Sequence, residues 1–274
     1  MDFVTCCKLH GILIDSVPRM GVWKRYPTED HPHKRNGAVK FMGDHGFIQN
    51  HAIETEVSLW QSDKPHEIDK VALMRDLKAA DLRKERGQKE AADKAAWILD
   101  QTVQGKHDYL RKKGFIEEEG RVWPNKGDHL LVIPMRVAGR LVGCQLIDRE
   151  GGKKFLFGQR TSNAELVFDN KGTHVLCEGY ATALSIQKSL KSLKRRYTIH
   201  ICFSAGNMKK IAADLPSGVV VADNDASGTG ERVAKEIGWP YWMSDTVGED
   251  ANDARIRMGD FRFGQSLIKS LKIF

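Results

Sequence analysis

Long hydrophobic runs are missing from this 274-residue sequence. No stretch of about 18 apolar residues occurs, so we expect no membrane-spanning helix and no membrane partner. The first residues include Cys6, Cys7, Lys8 and His10, where a secretory signal peptide would need an apolar stretch. We therefore expect a globular protein of the cytoplasm.

Cysteine is scarce as well. The five cysteines are an odd number and only Cys6 and Cys7 are adjacent, which does not fit the paired pattern of a secreted disulfide scaffold. We expect reduced thiols. The sequence also lacks a Gly-x-x-x-x-Gly-Lys-Ser/Thr loop, the phosphate-binding loop of nucleotide-hydrolysing motors, which argues against a fused helicase within these residues.

An excess of negative charge is also absent, because the formal net charge at pH 7 is +7. Residues 1–62 carry seven Lys/Arg and seven Asp/Glu, and residues 63–103 carry nine of each. Residues 104–274 hold 27 Lys/Arg against 20 Asp/Glu, so the whole excess lies there. A basic surface suits the phosphate backbone of a nucleic acid, although basic proteins without such a partner have the same composition.

Two patterns fill the first part of the chain. Residues 1–62 are rich in glycine, proline, histidine and aromatic residues, with short apolar stretches, which predicts a small β-rich unit. Residues 63–104 contain no proline after Pro65, and apolar residues recur there at near-helical spacing, which predicts a helical connector. These apolar residues are Val71, Met74, Leu77, Leu82, Ala95, Ala96, Ile98 and Leu99.

Beyond Gly105 the pattern changes to alternating strands and helices. In residues 105–172, the stretches 129–135, 140–147 and 153–157 predict a strand meander with glycine turns. Residues 173–274 alternate short apolar strands with helices, which predicts a parallel sheet covered on both faces. The predicted strands are 174–177, 198–203 and 219–222, and the predicted helices are 182–193, 208–215 and 230–237.

The end of the chain predicts one more helix. Its apolar residues at helical intervals are Phe263, Leu267, Leu271 and Phe274. We expect this helix to pack in the core, and docking on a partner is the alternative. The predicted fold class is therefore mixed α/β. It consists of a parallel sheet flanked by helices in residues 173–274, preceded by a small β-rich basic subdomain in residues 105–172.

Acidic residues follow two of the predicted parallel strands. Glu178 comes directly after the first strand, and Asp223 and Asp225 come after the third. Ligand sites of such sheets lie at the carboxyl ends of the strands, and magnesium prefers carboxylate oxygens, so the three acids are candidate magnesium ligands. The alternative is that each acid is a surface turn or helix-cap residue.

These acids also carry a resemblance to a known family. Residues 178–184 (EGYATAL) are followed by residues 223–228 (DNDASG). Together the two segments resemble the Glu and Asp-x-Asp motifs of the Toprim fold, in the form found in DNA primases of phages and plasmids. Further segments agree with this family, so that the resemblance covers residues 105–255. They are 107–114 (HDYLRKKG), 204–207 (SAGN) and 248–253 (GEDAND), together with the predicted strands of the meander.

The resemblance implies a DNA primase, a polymerase that makes short RNA primers on single-stranded DNA from ribonucleoside triphosphates. Glu178, Asp223 and Asp225 would be catalytic and hold two Mg²⁺ (or Mn²⁺) ions, and Asp250 and Asp253 would help to hold the second. For Asp253, helix capping is the open alternative. The partner would be a separate replicative helicase, and the place of action would be the cytoplasm of a bacterial host.

Basic residues near these motifs are candidates for holding the template strand or the nucleotides. They are Arg111, Lys112, Lys113, Lys153, Lys154 and Arg160. The resemblance assigns Asn207 to the same nucleic-acid or nucleotide site. For each single lysine, a solvated surface position is the alternative.

Within residues 1–62, residues 23–50 resemble the template-reading zinc ribbon that precedes many primase catalytic domains, especially in 25–30 (RYPTED) and 35–40 (RNGAVK). The sequence departs from the pattern of that ribbon, because only Cys7-x-x-His10 has a zinc-ligand spacing and no second cysteine pair follows. The other candidate ligands are His31, His33 and His45. We therefore expect no zinc, and a unit whose aromatic and basic residues contact the template.

Two other functions stay open. A Toprim nuclease would use the same acids to cleave phosphodiesters with water, and the acids alone do not distinguish it from a primase. The resemblance of the segments before Glu178 favours the primase. The third possibility is a catalytically silent nucleic-acid-binding module of the replisome, against which the presence of Glu178, Asp223 and Asp225 argues.

Overall fold

The structure is a computed structural model that describes residues 1–54, 56–63, 70–125 and 127–271. The chain divides into two compact units, Met1–Arg86 and Gly87–Phe274. Strands and helices occur in both units, so the fold is mixed α/β, as the sequence predicts. Among the helices of the described ranges, none combines the length and the apolar character needed to cross a membrane.

The first unit is built on an antiparallel sheet. Its four strands pair in chain order, β1 (Lys24–Tyr26), β2 (Gly37–Phe41), β3 (His45–Asn50) and β4 (Ser58–Gln61). A short helix, α1 (Phe3–Leu9), adds Phe3 and Cys7 to a core formed with Val39, Ile48 and Trp60. The predicted β-rich character is confirmed for the sheet, but α1 is not predicted, because seven residues give too short a run for helical periodicity to show.

Helix α2 (Lys70–Asp100) occupies most of the segment that the sequence predicts to be a helical connector. The boundary between the two units falls inside this helix. Its buried residues in the second unit are spaced by four and three positions, which gives the helix an apolar stripe. They are Ala91, Ala95 and Ile98, and they pack with Val132, Cys144 and Leu156. Residues 64–69 of the predicted connector, and the side chain of Val71, lie outside the described residues.

The second unit contains an antiparallel meander. Its five strands pair in chain order, β5 (Val103–Gly105), β6 (Gly120–Asn125), β7 (Asp128–Val137), β8 (Arg140–Ile147) and β9 (Lys153–Phe155). A short helix, α3 (Asp108–Lys112), separates β5 from β6 along the chain. The predicted strand 153–157 ends early, because the chain turns at Phe157 and Gly158, where φ is +77°.

A second sheet of this unit carries the predicted parallel series. Its strands lie in the order β10-β12-β11-β13-β14. They are β10 (Leu166–Asp169), β11 (Thr173–Cys177), β12 (Tyr197–Ile201), β13 (Val219–Val221) and β14 (Tyr241–Trp242). Strands β11 to β14 run parallel, whereas β10 is an antiparallel edge strand that the sequence pattern does not predict.

Helices cover both faces of this sheet. They are α4 (Tyr180–Ser192), α5 (Ala205–Ala213), α6 (Thr229–Ile237), α7 (Ala251–Met258) and α8 (Asp260–Leu271). On one face Val175 and Val219 share a core with residues of α4, α7 and α8. On the other face Leu176 and Val220 share a core with residues of α5 and α6. Burial on alternate sides follows from the strand period of two and confirms the predicted two-sided sheet.

Helix α8 is the helix predicted at the end of the chain. Phe263 and Leu267 are buried, and the ring of Phe263 meets Trp242 edge-on with 5.2 Å between the ring centroids. This part of the helix therefore packs in the core, as expected. Phe274 and the side chain of Leu271 lie outside the described residues.

Candidate functional site

Glu178 and Asp223 follow neighbouring parallel strands. Strands β11 and β13 pair directly, with Cys177 opposite Val221. Glu178 comes immediately after β11, and Asp223 comes two residues after the end of β13. The last residues of both strands are buried apolar side chains, which anchor the strand ends in the core. The two acids therefore lie at the same carboxyl edge of the sheet, where the sequence predicts them.

Helix α6 begins tightly against Asp223. A Cβ atom added at Gly230 would clash with the carbonyl oxygen of Asp223. Since every residue except glycine has a Cβ atom, a side chain here would force the two backbone segments apart. The position of Asp223 thus depends on glycine at position 230.

A cavity of about 360 Å³ opens at this edge of the sheet. Five acidic side chains line it, from Glu150, Glu178, Asp223, Asp250 and Asp253. Three lysines line it as well, Lys112, Lys113 and Lys153. Carboxylates suit a divalent cation and ammonium groups suit phosphate, so the cavity has the chemistry for an anionic ligand that brings a cation with it.

Asp223 is held in an unusual electrostatic state. Burial and the negative charge of Glu178 raise the pKa of Asp223 to about 7, although Lys153 opposes the shift. Burial also raises the pKa of Glu178, again against the effect of Lys153. The Oδ1 atom of Asp223 is buried and has no hydrogen-bond partner within the described part of the chain. A cation bound at this oxygen would stabilise the charged form.

Asp225 has a different environment from Asp223. Its side chain is exposed and it does not line the cavity. Its carboxylate accepts hydrogen bonds from the backbone amide of Ser227 at 2.8 Å, from the Ser227 hydroxyl and from the Gly230 amide at 3.4 Å. Partial burial acts to raise the pKa of Asp225, but these hydrogen bonds outweigh it and lower the pKa. In this geometry Asp225 is a surface turn residue. This is the alternative to a magnesium ligand that the sequence leaves open.

Asp250 and Asp253 form the start of helix α7. Asp250 is the N-cap and accepts a hydrogen bond from the Asp253 amide at 2.8 Å, while Asp253 reaches back to the Asp250 amide. The ammonium group of Lys113 lies 3.2 Å from Asp250 and 3.4 Å from Asp253. Asp250 and Asp253 therefore form a capping box at the start of α7. The sequence suggests helix capping for Asp253, but the N-cap residue is Asp250. Both acids still face the cavity.

The donor chemistry of the cavity fits a magnesium or manganese ion only in part. Glu178 and Asp223 supply carboxylate oxygens, including one that no described residue reaches with a hydrogen-bond donor. Among residues 1–54, 56–63, 70–125 and 127–271, however, no three acidic, histidine or cysteine side chains lie close enough together to hold a metal ion. Glu178 and Asp223 are thus the two residues that would hold it, and a third ligand would require a side chain to move.

The raised pKa of Asp223 predicts that stability falls as the pH rises. Between its usual value of 3.8 and about 7, folded Asp223 keeps a proton that the unfolded chain has released. The free energy of unfolding should therefore decrease through this window, and Asp223→Asn should remove about 2–3 kcal/mol of the decrease between about pH 5 and about pH 8. Added Mg²⁺ should stabilise the unaltered protein, but not the variant, at about pH 8. Unfolding midpoints at about pH 5 and about pH 8 measure both effects, and an identical pH dependence in the two proteins would contradict the assignment.

The other predicted basic residues lie in several places. Lys112 lines the cavity and its ammonium group donates to the Arg149 carbonyl at 2.8 Å. Arg111 pairs with Asp108 on the exposed side of α3. Lys154 lines a second cavity of about 350 Å³, next to α2. Arg160 donates to the carbonyl of Ser162. The predicted basic group is therefore divided between the acidic cavity and the surface of the meander.

The side chain of Asn207 forms hydrogen bonds with the protein backbone. Its side-chain amide donates to the carbonyl oxygens of Ala164 and Cys202, both at 2.8 Å, and its Oδ1 accepts from the Asn163 amide at 2.7 Å. The residue is buried and does not line the cavity. Both amide hydrogens of Asn207 are donated to backbone carbonyl oxygens. The residue therefore links α5 to the segment before β10.

A buried network beside the cavity is not apparent from sequence reasoning. Arg255 and Asn252, both on α7, donate to the carbonyl of Lys113 at 3.1 and 2.9 Å, and both bond the hydroxyl of Ser185. The guanidinium group of Arg255 also lies over the ring of Phe115, 4.4 Å from its centroid. This network fixes the backbone of Lys113, whose ammonium group faces Asp250 and Asp253. The only sequence signal was that Asn252 belongs to the motif at 248–253.

Comparisons with known proteins give little information on this chain. No family model and no curated protein matches it. Among solved structures it is similar to the crystal structure of a DNA primase domain from Pseudomonas aeruginosa, with 14% sequence identity and a TM-score of 0.37. The similarity covers 65% of this chain and 58% of that one, so the chain spans little more than half the length of that protein. We draw no conclusion on fold or function from a similarity at this level.

Proposed function

We propose that this protein is a DNA primase of the Toprim type, as found in phages and plasmids, that makes short RNA primers on single-stranded DNA. The observation that carries the proposal is the pair of half-buried carboxyl groups at the ends of neighbouring parallel strands. Glu178 and Asp223 line one cavity with three lysines, and Asp223 keeps an oxygen atom to which no residue of the described ranges donates. The ordered motifs around these acids, and the basic charge of residues 104–274, agree with a nucleic-acid polymerase.

In this proposal the acidic residues of the cavity bind a cation and the basic residues bind the nucleotide. Glu178 and Asp223 would hold Mg²⁺ or Mn²⁺, with Asp225, Asp250 and Asp253 as nearby acids. A bound ion would activate a ribose hydroxyl and stabilise the pyrophosphate leaving group. Lys112, Lys113 and Lys153 would attract the triphosphate and orient it toward the acids. Glu178 and Asp223 are half-buried, and this partial burial strengthens each of these interactions relative to bulk water.

The proposal includes three partners, which are the single-stranded DNA template, ribonucleoside triphosphates and a separate replicative helicase. We propose that residues 1–62 help to choose the template without a metal. Cys7 is buried in the apolar core of this unit, and the Nδ1 atom of His10 lies 2.5 Å from Glu54. On the sheet, Lys40 is paired with Phe47, whose ring lies 6.2 Å from the exposed Trp23. Aromatic rings beside cations suit unpaired bases.

A catalytically silent nucleic-acid-binding module is the second candidate function. The observation in its favour is the set of hydrogen bonds that engages Asp225, together with the lack of a three-ligand metal group in the part of the chain that the structure describes. A nuclease would use the same acids as the primase.

One experiment separates the three functions. The protein is incubated with single-stranded DNA, labelled ribonucleoside triphosphates and Mg²⁺ or Mn²⁺, and the products are resolved by length. A primase gives short labelled RNA that depends on the template. A nuclease shortens the DNA instead, and a silent module binds the DNA but changes neither polymer. Either of the last two results would overturn the proposed function.

A further inference from the structure

Strand β9 and the turn after it present aromatic residues beside the cavity. Lys153, at the start of β9, lines the cavity. Phe155, two residues on, is 45% exposed, and its ring lies edge-on to Phe203 with 6.4 Å between the centroids. The amide of Phe203 donates to the carbonyl of Glu178 at 2.9 Å. Through Phe203, Phe155 is therefore connected to the segment that carries Glu178, a catalytic candidate.

Phe157 is the most exposed part of this segment. Its relative exposure is 102%, so the whole ring faces solvent. Burying a phenylalanine side chain stabilises a protein by about 1.5–3 kcal/mol. Phe157 does not contribute this stabilisation. A single exposed apolar residue needs no special explanation, so further observations must say what the ring does.

The turn that carries Phe157 is held firmly. Leu156, just before it, is buried in the core with residues of α2. Gln159, just after it, accepts hydrogen bonds from the amides of Leu156 and Cys144, both at 3.1 Å. Gly158 packs so closely that a Cβ atom there would lie 3.2 Å from the Gly87 carbonyl oxygen. The exposed ring is thus presented by a fixed turn rather than by a loose loop.

The charges around the ring select the kind of ligand. Residues 153–164 include Lys153, Lys154 and Arg160 and contain no acidic residue. Cations that alternate with exposed aromatic rings are the features by which proteins hold single-stranded nucleic acids, since phosphates meet the cations and bases stack on the rings. A protein partner would need a larger continuous surface than two rings.

We propose that Phe157, together with Phe155, is a stacking platform for unpaired bases of a nucleic-acid strand, carried by strand β9 and the turn after it. This inference rests on the proposed function, in which the cavity is the reaction site and the strand is the template. Phosphates of the strand contact Arg160, and one or two bases lie against the phenylalanine rings. The platform aligns the strand relative to Glu178 and Asp223.

Binding of a labelled single-stranded oligonucleotide to the full chain, without divalent ions or nucleotides, tests the platform. Phe157→Ala should weaken binding by roughly 5- to 100-fold, which corresponds to the loss of one stacked base. The slope of affinity against salt should stay the same, because no charge is removed. Phe157→Trp should retain the affinity. Phe261→Ala is the matched control, since Phe261 is another exposed phenylalanine of the same unit, and it should bind as the unaltered protein does.

An oligonucleotide of abasic sites separates stacking from other effects. It keeps the phosphates and lacks the bases, so Phe157→Ala and the unaltered protein should bind it equally. The platform is wrong if Phe157→Ala binds the normal oligonucleotide without loss, if it loses affinity equally for both probes, or if the unaltered protein binds no single strand. A failed priming assay with the expected binding results would overturn the primase function and leave the platform standing. Normal priming with unchanged binding would overturn the platform alone.

Discussion

Replacing Asp223 with asparagine is expected to lower primer synthesis by about 10²-fold or more. The substitution keeps the shape of the side chain and removes the charge that would stabilise a divalent ion. Such stabilisation is worth several kcal/mol in a transition state, and about 1.4 kcal/mol corresponds to a tenfold change in rate. The measurement is the rate of template-dependent incorporation of labelled ribonucleotides. DNA affinity without divalent ions should hold or rise slightly, because an acid has been removed from a basic protein.

Two further variants make this result specific. Asp93→Asn removes one negative charge from the exposed side of α2 and should prime at the unaltered rate. Asp225→Asn distinguishes a metal ligand from a turn residue. A ligand would lose rate as Asp223→Asn does, whereas a turn residue would lose stability and keep most of its rate. Full activity in a folded Asp223→Asn protein would refute the primase mechanism and favour the silent module.

Arg255→Met is expected to destabilise the protein by about 3 kcal/mol, because it removes the hydrogen bonds that link α7 to Lys113, Ser185 and Asp260. The carbonyl of Lys113 and the hydroxyl of Ser185 would each lose the guanidinium donor and keep the amide of Asn252. The apolar stem of methionine keeps part of the packing against Phe115, so the loss reports mainly on the polar contacts. The measurement is the denaturant midpoint and slope of unfolding.

Lys188→Met provides the matched control for this loss. Lys188 also bonds Asp260, at 3.1 Å, but its side chain is exposed. A surface ion pair contributes only about 0–1 kcal/mol, so this variant should unfold almost as the unaltered protein does. Equal losses in the two variants would show that the pairing with Asp260, rather than the buried network, accounts for the effect.

The central part of the fold follows from local sequence patterns. Apolar runs such as 219–222 are short and rich in valine, and the helices between them have clear periodicity, so the parallel sheet and its covered faces are predictable. The placement of Glu178 and Asp223 at one edge follows from this topology alone. These features depend on residues that are close in sequence.

Features that depend on distant residues could not be predicted. Strand β10 pairs with β12 across an antiparallel register that no local pattern encodes. Asp223 and Asp225 look equivalent in sequence, yet Asp223 lines the cavity with the distant Glu178, whereas Asp225 is exposed. The contacts of Asn252 and Arg255 with Lys113 join residues about 140 positions apart. Only the tertiary structure brings such groups together.

The close approach of Gly230 to Asp223 gives a criterion for recognising proteins that share this site. An Asp-x-Asp pair occurs by chance in many sequences, whereas a pair followed by glycine seven residues after its first acid is a much narrower pattern. A protein with the two acids but with alanine at the equivalent of position 230 would have to displace the first acid or the following helix. Searches and designs that aim to keep this carboxylate in place should therefore treat that glycine as fixed.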